Sequence, residues 1–315
     1  MDKRVTDEPG TAPDRSARVL RLTDGRRIGY AEYGAHDGIP VLALHGTPGA
    51  RTMFALMDDA ARAKGIRIIA PDRPGYGLSD AHHIETLAET AHDIETLADE
   101  LGLDQFALVG YSGGGPHALA AALHLKKRIT RLALISTVGL VADGEPVSMS
   151  GLHHFIFSYL GRSQFAASAY FLGVQSMIFW VPGGAEHFLT QYATDSDHAV
   201  LRRPEVRRTL ETSMHEGFSG SIQGAVQDLR LYCQPWDLPL HELETPVVMW
   251  QGSADTIVPP EAAYRLADAL PDCRLEVAED MGHYWLFGAV EAVLASIHAG
   301  PRSKTASRIG LRTWF

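Results

Sequence analysis

The stretch Leu108-Val109-Gly110-Tyr111-Ser112-Gly113-Gly114-Gly115-Pro116-His117 decides how this chain is read. The apolar run from Phe106 to Val109 predicts a buried strand, and Ala118 to Leu125 predicts a helix. Between them stands Gly110-x-Ser112-x-Gly114, the G-x-S-x-G pattern of a nucleophile elbow. A serine on so sharp a strand-to-helix turn needs strained backbone angles, and small neighbours let strand and helix approach without a clash. The helix that follows also aims its N-terminal amides and the positive end of its dipole at the reacting atom. Glycine and serine are common in ordinary loops, so the pattern gains weight from the strand before it, the helix after it and its partners elsewhere.

Upstream of the elbow, Val19 to Leu22, the Asp24-Gly25 turn and Ile28 to Tyr33 predict a β-hairpin. Ile39 to Leu44 is a continuous apolar run, as expected of a central strand covered on both faces, and ends in His45-Gly46-Thr47-Pro48-Gly49-Ala50-Arg51. Thr52 to Lys64 has helical spacing, Ile66 to Ala70 predicts the next strand, and the turn-rich loop from Pro71 to Asp80 follows it. Glu85 to Leu101 sets Ile94, Leu97 and Leu101 on one helical face, and Ile129 to Ser136 is the strand after the elbow helix. Strand and helix therefore alternate, which predicts an α/β chain with a mostly parallel, doubly wound sheet and helices on both faces.

That rhythm breaks between Gly139 and Glu244, where Phe155, Phe171, Phe179, Trp180 and other aromatics crowd in. Between Arg162 and Glu186 no residue carries a formal charge, but Gln164, Ser168, Gly173, Gln175, Ser176 and Pro182 interrupt the stretch. The expectation is a helical cap, inserted after the sixth strand, and not a membrane span. The rhythm resumes with Val247 to Trp250, Pro260 to Leu270, Arg274 to Val277 and Trp285 to His298. The domain reading is a disordered leader over 1–18, a core over 19–138 and 245–299, the cap over 139–244 and a basic mobile tail over 300–315.

With 315 residues there is ample chain for one large core, and 45% hydrophobic with 21% charged residues suits an ordinary globular protein. A formal charge of −10 argues against a nucleic-acid partner. Two cysteines, Cys233 and Cys273, cannot build a disulfide framework, so a reduced, cytoplasmic location is expected. The paired histidines at 82–83 and 153–154 are adjacent and do not share a helix face, so no metal site is expected there.

A serine hydroxyl is a poor nucleophile near neutral pH and needs a histidine base held by a carboxylate. In an open α/β sheet such partners lie where strands end. Asp255 follows the strand ending at Trp250, and His283 follows the strand ending at Val277, just before the last helix. His298 and His241 fit less well; His45 reads as a structural hydrogen-bonding residue, and His117 as packing or pocket wall. Asp72 and Arg73 read as a buried or half-buried pair bracing their loop.

Four separated motifs, HGTPG, DRPGYGLS, GYSGG and GSADTIVP with a later GH, resemble in order those of serine hydrolases of the α/β-hydrolase superfamily. The resemblance implies the α/β-hydrolase fold, the catalytic order Ser112, Asp255, His283, and an oxyanion hole built from the backbone amides of Gly113 and Thr47. Pro48 has no N–H to contribute, while the Thr47 hydroxyl is a further candidate donor. Tyr111, His117, Phe155, Phe179 and Trp180 are the candidate substrate-binding residues.

The expected activity is cofactor-independent hydrolysis of a small apolar carboxylic ester, or a related acyl bond, through an acyl-enzyme. HGTPG and DRPGYG also resemble the proline-iminopeptidase branch, in which cap carboxylates hold the substrate's amino terminus; Glu186, Glu205, Glu211 and Glu216 are candidates for that role. A carbon–carbon bond hydrolase is a further alternative, and a non-catalytic ligand sensor is the rival from another class. Epoxide hydrolases and haloalkane dehalogenases place an aspartate where Ser112 stands. The expected partner is a small molecule, and a homodimer contact is an alternative use of the aromatic insertion.

Overall fold

The computed structural model describes residues 15–142, 145–146, 160–298 and 307–309. Among them nine strands form one sheet: β1 (Arg18–Arg21), β2 (Arg27–Gly34), β3 (Ile39–Leu44), β4 (Ile66–Pro71), β5 (Phe106–Tyr111), β6 (Ile129–Ile135), β9 (Val247–Gly252), β10 (Cys273–Ala278) and β11 (Ser307–Ile309). Two short strands, β7 (Val141–Ala142) and β8 (Glu145–Pro146), pair separately. The order across the large sheet is β1-β2-β4-β3-β5-β6-β9-β10-β11. Only β2 runs antiparallel to its neighbours; the pairings from β4 onward are parallel.

Period-two alternation explains why the strands are apolar throughout. In β3, Val41 and Ala43 enter one core layer while Leu42 and Leu44 enter the other. In β5, Ala107, Val109 and Tyr111 divide in the same way from Phe106 and Leu108. Helices α2 (Thr90–Glu100) and α3 (Gly114–Leu125) cover one face, joined by α9 (Pro260–Ala269). Helices α1 (Asp58–Ala63) and α10 (Val290–His298) cover the other. The expected helices from Thr52, Glu85 and Trp285 each open with a 3₁₀ turn, at Arg51–Met57, Leu87–Glu89 and Trp285–Gly288.

Between β6 and β9 the chain leaves the sheet and forms α4 (Gln164–Trp180), α5 (Gly184–Thr190), α6 (Asp195–Leu201), α7 (Pro204–Gly217) and α8 (Gln223–Tyr232). Ser163 caps α4 by accepting the Ala166 N–H at 3.3 Å. No helix of the described residues is long and apolar enough to cross a membrane.

The expected leader over 1–18 and tail over 300–315 are described only at 15–18 and 307–309, and there they contact the core. Glu32 has a fully buried carboxylate, and Arg15, Arg18 and Arg67 converge on it at 3.4, 3.2 and 2.8 Å. A buried charge requires such partners, so the leader is tied to the core from residue 15. Arg15 O also accepts the Glu32 N–H at 2.7 Å, and β1 starts at Arg18. At the other end Ser307–Ile309 pairs with Glu276–Ala278, satisfying backbone groups that β10 would otherwise present at an open edge.

Candidate active site

The elbow stands where β5 passes into α3. Ser112 has φ +51°, a left-handed conformation that costs a non-glycine residue about 1–3 kcal/mol and must be imposed by its surroundings. Its N–H donates to Ile135 O at 2.9 Å, and its C=O accepts the N–H groups of Gly115 and Val138, both at 3.1 Å. A Cβ on Gly110 would lie 2.7 Å from Gly115 Cα, so strand and helix can cross this closely only over glycine.

His283 lies beyond β10, and Asp255 lies beyond β9. His283 Nε2 is 3.1 Å from Ser112 Oγ, and Nδ1 is 2.8 Å from Asp255 Oδ2. Because the carboxylate only accepts, Nδ1 carries the hydrogen and Nε2 is left to take the serine proton. Asp255 is held in turn: Oδ1 accepts the Ile257 and Val258 N–H groups at 2.9 Å each, and Oδ2 accepts Gln251 Nε2–H at 3.1 Å. Tyr111 donates its hydroxyl to His283 O at 3.2 Å, and its ring packs 5.4 Å from the imidazole. Burial disfavours protonation of His283, but the Asp255 charge and hydrogen bond, with the charge of Asp197, outweigh it and raise the imidazole pKa above 6.5. Ser112, Asp255 and His283 are all buried, so their mutual attraction is weakly screened.

Thr47 and Gly113 line the cavity together with Ser112. The Thr47 hydroxyl belongs to a buried cluster. It donates to Asp228 Oδ2 at 2.5 Å and accepts Arg73 Nη2–H at 2.9 Å. Arg73 Nη1 donates to Asp228 at 2.5 and 2.6 Å, and the Tyr76 hydroxyl donates to it at 2.5 Å. Tyr232 OH donates to Gly113 O at 2.6 Å. Burial would raise the Asp228 pKa, but the Arg73 charge overwhelms it and holds the carboxyl well below its ordinary range.

Several expectations change here. Asp72 and Arg73 do not pair with each other. Asp72 binds Arg51 at 2.8 Å, while Arg73 binds Asp228 from α8. His117 does not face the cavity: α3, turning about 100° per residue, carries it into the Arg73–Asp228 cluster, 3.0 Å from Asp228 Oδ1. Burial first, and then the Arg73 charge, lower its pKa. His45 is structural, as expected; Nδ1–H donates to Gly46 O at 2.8 Å and Nε2 accepts the Arg73 N–H at 3.0 Å. Asp228 and Tyr232 were missed by sequence reasoning; their i, i+4 spacing on one face of α8 was the signal available.

A cavity of about 170 Å³ opens onto Ser112, lined by Thr47, Tyr111, Gly113 and His283 on the sheet side. Its far wall comes from the insertion, chiefly Tyr170, Phe171, Leu189, Leu210, Met214 and Leu229, and among the described residues no Asp, Glu, Lys or Arg lines it. Phe179 and Trp180 are absent from that wall. Ala167, Phe171, Val174 and Ile178 form the buried stripe of α4, which leaves Phe179 41% and Trp180 82% exposed on the outer side. Phe155 lies outside the described residues. One group of described residues could ligate a metal: His92, Glu95 and His124, with ligand atoms within 4.8 Å of one another. It sits on the outer surface of α2 and α3, where Glu95 already accepts from His124 at 2.8 Å, and it takes no part in the cavity.

The chain is 27% identical to a non-heme chloroperoxidase of Streptomyces lividans, over 84% of this chain and 92% of that protein. It is 28% identical to a proline iminopeptidase of Lactobacillus delbrueckii, over 79% and 85% of the two chains. Among solved structures, an esterase from Exiguobacterium antarcticum superposes with a TM-score of 0.69 at 23% identity, covering 89% of this chain and 99% of that one. A family model described as alpha/beta hydrolase fold matches residues 39–289, a span running from β3 through the elbow to the His283 loop. The chain belongs to the alpha/beta hydrolase fold family.

Proposed function

We propose that this protein is a serine hydrolase that cleaves a carboxylic ester, or a related acyl bond, of a small apolar substrate. The observation that carries the reading is a largely apolar cavity, with no Asp, Glu, Lys or Arg among the described residues that line it, opening on a serine hydrogen-bonded to a histidine–aspartate pair. Ser112 Oγ attacks the acyl carbon as its proton passes to His283 Nε2. The amides of Thr47 and Gly113 hold the oxyanion of the tetrahedral intermediate, and Asp255 stabilises the imidazolium. Collapse expels the alcohol, which takes the proton from His283 and leaves an acyl-serine. Water, deprotonated by His283, then attacks that ester and releases the acid and the free serine. These steps require no cofactor.

Aminopeptidase activity has less support, although a relative carries that name. An amino terminus in a buried site needs a carboxylate, and none lines the cavity among the described residues. Glu186 is bound to Arg207 at 2.9 Å and Glu216 to Arg51 at 2.7 Å. A panel of p-nitrophenyl acyl esters, lactones and aminoacyl amides, run beside fluorophosphonate labelling, tests the reading. Ester turnover with label on Ser112 is expected, and both should vanish in Ser112→Ala. Labelling that persists in that variant, or preference for substrates with a free α-amino group, would overturn the proposal. One turnover followed by arrest would favour a sensor.

A further inference from the structure

The segment joining α5 to α6, together with the first turn of α6, touches both loops that bear the partners of Ser112. The Thr256 hydroxyl, next to Asp255, donates to Tyr192 O at 2.5 Å. Beside His283, the Gly282 N–H donates to Ser196 Oγ at 2.9 Å, and the Tyr284 N–H donates to Asp197 Oδ1 at 2.7 Å. The peptide groups on either side of the imidazole are therefore gripped by consecutive residues of the insertion. Asp197 is itself locked: Oδ2 accepts the Thr194 N–H at 3.1 Å and its hydroxyl at 3.0 Å, while Thr194 Oγ1 accepts the Asp197 N–H at 3.2 Å. This reciprocal capping box orders the first turn of α6. The approach is so close that a Cβ on Gly282 would overlap the Asp197 carboxylate. Gln191 and Tyr192, immediately before the grip, line the substrate cavity.

We infer that Ser196 and Asp197 are positioning residues for His283, so that the cavity wall and the base form one mechanical unit. Their effect comes from holding the loop on both sides of the imidazole, with neither side chain touching the reacting atoms. The inference rests on the serine-hydrolase reading for its catalytic consequence. Asp197 also acts electrically, because its buried carboxylate favours the imidazolium that forms when the serine is deprotonated. Among the described residues, the other titratable groups facing His283 are Asp255 from the loop after β9, Tyr111 from β5 and the neighbouring Tyr284.

Two variants separate the mechanical part from the electrical one. Asp197→Asn keeps the shape and an oxygen for the Tyr284 N–H but removes the charge, and it replaces the oxygen that accepts from Thr194 with a donor. The His283 titration, followed by NMR, should then move to lower pH by about half a pH unit, and the midpoint of kcat/KM against pH should move with it. Ser196→Ala removes the Gly282 acceptor without changing charge; kcat should fall about tenfold at unchanged KM, with the titration unmoved. A His283 titration in Asp197→Asn that coincides with the wild type would overturn the inference, as would Ser196→Ala with wild-type kcat. Ser196→Ala alone decides if Asp197→Asn does not fold. The NMR titration needs no turnover, and absence of label on Ser112 marks failure of the hydrolase reading separately.

Discussion

The Thr47 hydroxyl donates to the Asp228 carboxylate at 2.5 Å, joining the loop after β3 to helix α8 beneath the elbow. This bond holds the side chain in the buried cluster, while Thr47 lines the cavity with Ser112. The hydroxyl's single proton is spent on Asp228, so the side chain is not the third donor that the sequence left open. Tyr232, four residues beyond Asp228, fixes Gly113 O in the same way. Both proposed oxyanion donors are thus backed by one buried cluster whose carboxylate comes from the insertion.

Thr47→Ser should keep the bond and behave much like the wild type. Thr47→Val removes a donor that Asp228 uses and an acceptor that Arg73 uses; it should lose about 1–3 kcal/mol of stability and lower kcat more than it raises KM. Chemical denaturation and steady-state kinetics on both variants check this. Equal behaviour of Ser and Val at this position would contradict it.

Asp228→Ala leaves the buried guanidinium of Arg73 without its carboxylate. Breaking a buried pair from one side costs about 3–5 kcal/mol, so a large fall in the denaturation midpoint is expected. The single variant Arg73→Met should be harmful too, whereas the double variant should be less destabilised than the sum of the two. A double-mutant cycle with no coupling would show that the pair is not a unit.

The raised pKa of His283 sets the sign of the pH dependence. The base must be neutral, and the folded site favours the cation, so kcat/KM should rise with pH through a midpoint above 6.5. Removing the carboxylate in Asp255→Asn should lower both the midpoint and the rate. A pH–rate profile measured with one neutral ester decides, and a midpoint below 6.5 in the wild type would count against the assigned base.

Ser112 stores backbone strain at φ +51°. Ser112→Gly should therefore abolish turnover while raising stability by about 1 kcal/mol, whereas Ser112→Ala should abolish turnover without that gain. Thermal denaturation of the three proteins measures the difference. A Gly variant less stable than Ala would mean that the strain lies elsewhere.

The apolar wall predicts that acyl chain length governs selectivity. Each buried methylene contributes about 0.8 kcal/mol, so two should improve kcat/KM roughly fifteenfold until the cavity is full. Phe171→Leu, which trims the wall, should shift the optimum toward longer chains. Phe179→Ala and Trp180→Ala should leave it unchanged, because both side chains face outward. A flat chain-length response would remove the argument for an apolar acyl group.

The sequence by itself determined the features that are local in the chain. The unbroken apolar runs in Ile39–Leu44 and Phe106–Tyr111 require strands covered on both faces, and that pattern survives any arrangement of distant residues. Glycines at 110 and 114 mark a close strand–helix crossing, and Asp255 and His283 stand just past strand ends, so the candidate triad was legible before its distances were known. Only the tertiary structure decided what lies between distant segments. Arg73 and Asp228 are 155 positions apart, and nothing near Asp72 in the chain says that Arg73 has a different partner from its neighbour. An aromatic run without charges, Phe165 to Trp180, likewise does not encode which of its faces turns inward. Ala167, Phe171, Val174 and Ile178 were chosen by packing against the core, leaving Phe179 and Trp180 to solvent. The physical reason is the range of the signal. Periodicity and backbone strain act within a few residues, whereas ion pairing, burial and the grip of Ser196 and Asp197 on the His283 loop come into being only when the sheet and the insertion meet.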